Sequence, residues 1–308
     1  MIKIRGFTKR YDHFVAVDNL DLDIEQGDVF GFIGPNGAGK TTTIRFLATL
    51  LKPTAGQAWI NGYSVTKQID EVKRSIGFMP DTFGVYDGMK VWEFLDFFAT
   101  AYGLPRSKRR ALIDDVLDLV DLTVKRDTLV NGLSRGMQQR LCLAKTLVHD
   151  PPVLILDEPA SGLDPRARVE MKALLHELQK MGKTILISSH ILPELSDFCS
   201  KIGIIERGRL LAAGPVKDVI RSIRQNRVIT IVTATRHEGC EVLLAHHPQV
   251  RNLSAGEREY KFEFVGNDED VVKLHRELVR QDVPVVWIEE EEADLEEAFM
   301  KITQGLVA

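Results

Sequence analysis

Residues 34–41 read Gly34-Pro35-Asn36-Gly37-Ala38-Gly39-Lys40-Thr41, a full match to the phosphate-binding pattern G-x-x-x-x-G-K-[ST]. An apolar run, Val29-Phe30-Gly31-Phe32-Ile33, precedes it, and a helix-like stretch from Thr42 to Leu51 follows. The motif requires this strand–loop–helix setting, because the loop must aim backbone N–H groups at phosphate oxygens from a helix N-terminus. Glycines let the backbone curl that closely without Cβ clashes. Lys40 supplies a mobile cation, the Thr41 hydroxyl is placed to ligate Mg²⁺, and Thr42 completes the expected nucleotide cradle. The pattern implies binding of a nucleoside triphosphate.

Downstream, Val153-Leu154-Ile155-Leu156 runs into Asp157-Glu158. Four consecutive apolar residues suit a parallel strand buried on both faces, and ligands of open α/β sheets sit at the carboxyl ends of such strands. Asp157 is expected to hold Mg²⁺, usually through water, and Glu158 to act on the attacking water. Another apolar run, Thr184 to Ile187, leads into Ser188-Ser189-His190. This puts His190 at the same sheet edge, where it can donate to a γ-phosphate oxygen.

Between these motifs lies Leu133-Ser134-Arg135-Gly136-Met137-Gln138-Gln139-Arg140. It resembles the ABC signature LSGGQQQR, departing at Arg135 and Met137. Ser161-Gly162-Leu163-Asp164 resembles that family's D-loop, and Ser188-Ser189-His190 its switch-histidine motif, all in the family's order. Over roughly residues 1–215 the chain is therefore identified as similar to ABC ATPase nucleotide-binding subunits, with exporter-type bacterial subunits the nearest in overall character.

The resemblance implies a pair of such domains closing head to tail around two ATP molecules. Ser134 and Gly136 of one subunit then meet the γ-phosphate held by the other, with Asp164 near the same interface. Ser134 can cap its helix, whose N-terminus offers free N–H groups and a positive dipole to an anion. Arg135 reads as pointing to solvent or to acids of its own domain. Ile76-Gly77-Phe78-Met79-Pro80-Asp81 matches the approach to the family's Q-loop, but Asp81 stands where Gln is usual. A carboxylate there can still ligate Mg²⁺ directly or through water. Thr82 to Lys90 then corresponds to the surface that touches a transmembrane partner. Tyr11 corresponds to the aromatic residue that stacks on adenine.

The expected fold is α/β: a P-loop NTPase core of mixed sheet, with an antiparallel β subdomain and a helical subdomain at about 84–149. Residues 1–28 alternate apolar and polar, as half-buried antiparallel strands do. Ala213-Gly214-Pro215 closes this nucleotide-binding domain (1–215). Residues 216–308 form a small accessory α+β domain, for which a ferredoxin-like arrangement is one candidate. Its expected elements include a strand at Val228 to Val232 and a strand face of Tyr260, Phe262 and Phe264. A last helix is expected from Asp294, bearing Leu295, Ala298, Phe299 and Ile302.

At 308 residues, 44% hydrophobic and 27% charged, the chain suits two globular domains. A net charge of −4 gives no basic character that would make nucleic acid an expected partner. No apolar run approaches the roughly 18 residues that mark a membrane span, and Met1-Ile2-Lys3-Ile4-Arg5 shows no signal region. Three widely spaced cysteines fit a reducing cytosol. The membrane part of a transporter must then be a separate chain, and this subunit would work peripherally on the inner face of the cell membrane, coupling ATP hydrolysis to transport. A soluble ABC ATPase that remodels a nucleic-acid or ribosomal complex is the alternative class. His237, Cys240, His246 and His247 fit no standard zinc spacing.

Overall fold

Leu20, Leu22 and Ile24 are buried while Asp21 and Asp23 between them are exposed, so the N-terminal alternation resolves into strands. Strand β1 (Ile2–Tyr11) pairs antiparallel with β2 (Phe14–Ile24). On its other side β1 pairs with β4 (Ala55–Ile60), which turns through Asn61-Gly62 into β5 (Tyr63–Ser64). The computed structural model describes all residues except 83, 85–87, 192–194, 196–197, 224–226 and 291–308, and only the backbone of 220–223. The helix expected from Asp294 lies outside the described residues.

The central sheet runs β10-β9-β3-β8-β7-β6. Its strands are β3 (Val29–Ile33), β6 (Ile76–Met79), β7 (Val153–Asp157), β8 (Thr184–Ser189), β9 (Lys201–Glu206) and β10 (Arg209–Pro215). Pairing is parallel from β9 across to β6, and β10 adds an antiparallel edge. Every residue of β3, β7 and β8 is buried, as a parallel sheet covered on both faces requires. Helix α1 (Lys40–Leu47) leaves the phosphate loop, and α2 (Ile69–Ser75) precedes β6. Phe7 of β1 stacks on Phe46 of α1 with ring centroids 4.1 Å apart, both fully buried. That contact seats the antiparallel sheet against the phosphate-loop helix.

Helices α3 (Val91–Ala101), α4 (Arg106–Leu119) and α5 (Arg135–Leu147) occupy the expected helical region. Helix α6 (Pro165–Lys180) joins β7 to β8. Strand β6 is short, and Gly77 permits it: a Cβ there would lie 2.4 Å from the Thr146 carbonyl oxygen of α5.

The chain divides into two compact units, Met1–Val219 and Ile220–Ala308, with helix α7 (Val216–Ile223) spanning the division. In the second unit the order is β11 (Arg227–Thr233), α8 (Glu238–His246), β12 (Val250–Ala255), β13 (Glu259–Phe264), α9 (Asp268–Arg280) and β14 (Val285–Glu290). The sheet order β12-β13-β11-β14, antiparallel throughout, together with the β-α-β-β-α-β succession, is the ferredoxin-like arrangement. Its core gathers Ile229, Ile231, Tyr260, Phe262, Phe264, Leu274 and Leu278. The histidines here have local partners. The His237 ring accepts from Cys240 N–H at the start of α8, and His247 lies 3.7 Å from Glu277.

Candidate functional site

The phosphate loop is shaped by where it may not carry a Cβ. At Gly34 a Cβ would sit 2.2 Å from the Ile205 carbonyl oxygen. At Gly39, which caps α1 at φ +110°, it would sit 2.7 Å from the Ala16 carbonyl oxygen. The loop therefore packs directly on β2 and on the β9–β10 turn. Gly208 of that turn donates its N–H to Ala38 O at 2.9 Å and accepts from Asp18 N–H at 2.8 Å. No side chain caps α1, so its first N–H groups remain directed at the loop.

Lys40 is only 6% exposed and donates to Gly34 O at 2.6 Å and Pro35 O at 3.3 Å. Its Nζ also lies 3.5 Å from Glu158 Oε1. Burial pulls the Lys40 ammonium below its ordinary pKa, against the opposing pull of Glu158 and Asp157.

The register Asp157↔Ser188 and Ile33↔Ser189 brings the ends of β7, β8 and β3 to one edge. There Asp157 Oδ1 accepts from Ser188 Oγ at 2.6 Å and from Thr41 Oγ1 at 3.4 Å. Burial pushes the Asp157 carboxyl upward. The two hydroxyl donors oppose this, and like charge on Asp81 and Glu158 adds to it. Glu158 is held at φ +51°, the left-handed region that costs an L-residue on the order of 1–2 kcal/mol. His190, at the next strand end, places Nδ1 2.8 Å from Glu158 Oε2. Glu158 thus lies in an ion pair with Lys40 and within hydrogen-bond distance of His190 at the carboxyl edge of the sheet.

The carboxylates fit a hard cation that shares its coordination with phosphate. Among the described residues no group of three or more His, Cys, Asp or Glu is arranged to hold a metal by itself. Mg²⁺ needs no such cage: it binds through one or two carboxylates plus substrate phosphates and water. Buried Asp157, with the Thr41 hydroxyl beside it and Asp81 near enough to repel it, offers that donor set.

Ser134 accepts from Met137 N–H at 3.4 Å as the N-cap of α5, as its position in the signature suggests. A Cβ on Gly136 would approach Ala167 Cβ to 3.2 Å, so this glycine lets α5 and α6 come together. Asp164 caps α6 by accepting from Ala167 N–H at 2.9 Å. Arg135 is exposed, as expected, and turns toward its own domain. It donates to the Ser161 carbonyl at 3.3 Å, not to an acid, and its guanidinium covers Gly162 so closely that a Cβ there would lie 2.3 Å from it. Gln139, buried, donates to the same carbonyl at 3.3 Å. The signature and D-loop of one chain are therefore in contact. Tyr11 stands 45% exposed at the β1–β2 turn with Lys9 Nζ 4.9 Å from its ring centre. Phe14 opposite it is exposed too. Ser188 was absent from the sequence-derived site, although a polar pair closing an otherwise apolar buried strand was a visible signal.

Comparison with known proteins agrees with this geometry. Residues 17–161 match the family model described as ABC transporter. The bacitracin transport ATP-binding protein BcrA of Bacillus licheniformis is 36% identical, covering 99% of this chain and 98% of its own length. The Nod factor export ATP-binding protein I of Burkholderia pseudomallei (strain 1710b) is 40% identical, covering 72% of this chain and 73% of its own. A dimeric ATP-binding cassette solved in a post-hydrolysis state with ADP and Pi superimposes with a TM-score of 0.64 at 26% identity, covering 70% of this chain and 99% of that one.

Proposed function

The chain belongs to the ABC transporter family as an ATP-hydrolysing subunit, and we propose that it drives an exporter through two copies that close on two ATP molecules. Full-length similarity to a bacitracin transport protein supports the transport role, and 40% identity to a Nod factor export protein supports its direction. Among the described residues no helix is long and apolar enough to cross a membrane. We therefore assign the translocation path to separate transmembrane subunits, against which this chain works peripherally at the inner face of the cell membrane.

The observation that carries the reading is Glu158 fixed between Lys40 and His190, beside Asp157. Residues 34–42 wrap the triphosphate, with Lys40 turning from the loop carbonyls to the β- and γ-phosphates. Tyr11 stacks on the adenine. Thr41, Asp157 and Asp81 would hold Mg²⁺, which when bound would offset phosphate charge. Glu158 takes a proton from the attacking water as its oxygen bonds to the γ-phosphorus and the bond to the ADP β-oxygen breaks. His190 orients both the base and a γ-phosphate oxygen. The partner's signature, at the positions of Ser134 and Gly136, closes over that phosphate with a helix N-terminus, and Asp164 sits at the same interface through the D-loop. Residues 216–308 act as an accessory, regulatory domain; their standing as a separate unit is supported by a hydrophobic core between Ile229 and Val283.

Affinity purification of the tagged chain from detergent-solubilised membranes tests the transporter reading. Recovery of a multi-span membrane protein in stoichiometric amount is expected. Recovery of ribosomes or nucleic acid in its place would contradict it.

A further inference from the structure

Glu158 is pinned through its backbone as well as its side chain, and one residue outside the assigned machinery does much of the pinning. We propose that Ser188 is a positioning residue for hydrolysis, its hydroxyl bridging the two adjacent acids so that each presents the correct face to substrate. Ser188 is fully buried at the end of β8. Its Oγ donates to Asp157 Oδ1 at 2.6 Å and accepts from Glu158 N–H at 3.0 Å. A hydroxyl carries one donor and two acceptor sites, so a single serine can serve both partners at once. Alanine can do neither, and a thiol does both only weakly.

The bridge matters because Glu158 occupies a backbone conformation that it would not choose. At φ +51° its chain turns sharply out of β7, and such a conformation persists only where its surroundings over-determine it. Ser188 holds the Glu158 amide, and Ser161 N–H holds the Glu158 carbonyl at 3.0 Å. With both ends of the residue tied, its carboxylate reaches Lys40 and His190. The donor to Asp157 Oδ1 also fixes the rotation of that carboxylate, leaving its other oxygen as the natural one to face a cation. The same hydroxyl therefore sets both the base and its acidic neighbour, through an ordered relay that crosses from β8 to β7.

This inference rests on Glu158 as the base, and the experiment separates the two. Ser188→Ala, Ser188→Cys, Glu158→Gln and the double variant Ser188→Ala/Glu158→Gln are compared in the full chain. Steady-state hydrolysis, equilibrium ATP affinity and melting temperature are measured for each. Ser188→Ala is expected to lower kcat about 10–100-fold, the usual cost of losing a residue that orients a site, with ATP Kd changed less than about threefold. Ser188→Cys, isosteric but a weaker hydrogen-bonding group, should fall between, and it carries the test should the alanine variant fail to fold. Because Ser188 acts in part through Glu158, its substitution should cost clearly less in the Glu158→Gln background than in the wild type, the remainder being its effect on Asp157. Normal hydrolysis by Glu158→Gln would remove the base assignment itself. An inactive Glu158→Gln beside a fully active Ser188→Ala would overturn the Ser188 proposal alone. So would parallel loss of ATP affinity and turnover, or losses that multiply in the double variant, since either marks a merely structural residue.

Discussion

Lys40 and Asp157 are charged groups kept in a place where burial disfavours charge: the lysine is pulled below its ordinary pKa and the aspartate pushed above it. Such a site is preorganised for phosphate at the expense of the nucleotide-free fold. For Asp157 the sign follows directly. A folded pKa above the unfolded one penalises the ionised state at neutral pH, and the penalty fades as pH falls through the folded value. Asp157→Asn should therefore raise the melting temperature of the nucleotide-free protein at pH 7. The gain should shrink toward pH 4, while hydrolysis is lost. A melting temperature that fell equally at both pH values would refute this account of the carboxylate. Lys40→Ala should weaken ATP binding at least about 100-fold, equivalent to about 2.8 kcal/mol, in equilibrium titration; near-normal affinity would remove Lys40 from the site. Lys40, Thr41, Asp157 and Glu158 could all be read from local spacing, because each motif is contiguous. Ser188 and Arg135 could not be given their contacts that way. Their partners lie on other elements, at Asp157, Glu158 and Ser161, and only the register of β7 against β8 and the packing of α5 on the D-loop bring them together.

At the scale of elements, the signature acts through the start of α5. Ser134 caps that helix, and Gly136 permits its close approach to α6. Ser134→Arg should leave ATP binding by monomers within about threefold of wild type, because residues 34–42 are untouched. It should also prevent ATP-dependent dimerisation by placing a bulky side chain where the partner's phosphate must seat. Light scattering in a hydrolysis-blocked background reads this, and an unchanged dimer would contradict the placement. Elements with strong periodicity were predictable: the Leu20–Ile24 alternation, the helix at Val91–Ala101, and the strand face of Tyr260, Phe262 and Phe264. Strand β6 was not, since four residues containing a glycine carry almost no period, nor was helix α2, whose seven residues span only about two turns. Gly77 is there for its fit against Thr146, which is a tertiary reason. Strand β10 extends back to Arg209 through residues that alternate only weakly, and pairing with β9 defines it.

At the scale of the whole molecule, the first unit gathers Lys40, Asp157, Glu158 and His190 at one sheet edge. In the proposed closed pair, the site becomes complete only when a second copy supplies Ser134 and Gly136. The family resemblance conveyed this division of labour, whereas no single-chain contact displays it. The central claim is that Glu158 removes a proton from water inside such a closed pair. Its most direct test is Glu158→Gln, which preserves shape and leaves Asp157 in place but cannot accept that proton. Size-exclusion chromatography with retained-nucleotide analysis, paired with single-turnover hydrolysis, should find a stable dimer holding unhydrolysed ATP and a rate lower by about 10²–10⁴-fold. A Glu158→Gln protein that hydrolyses ATP at the wild-type rate and elutes as a monomer with ADP would contradict the account.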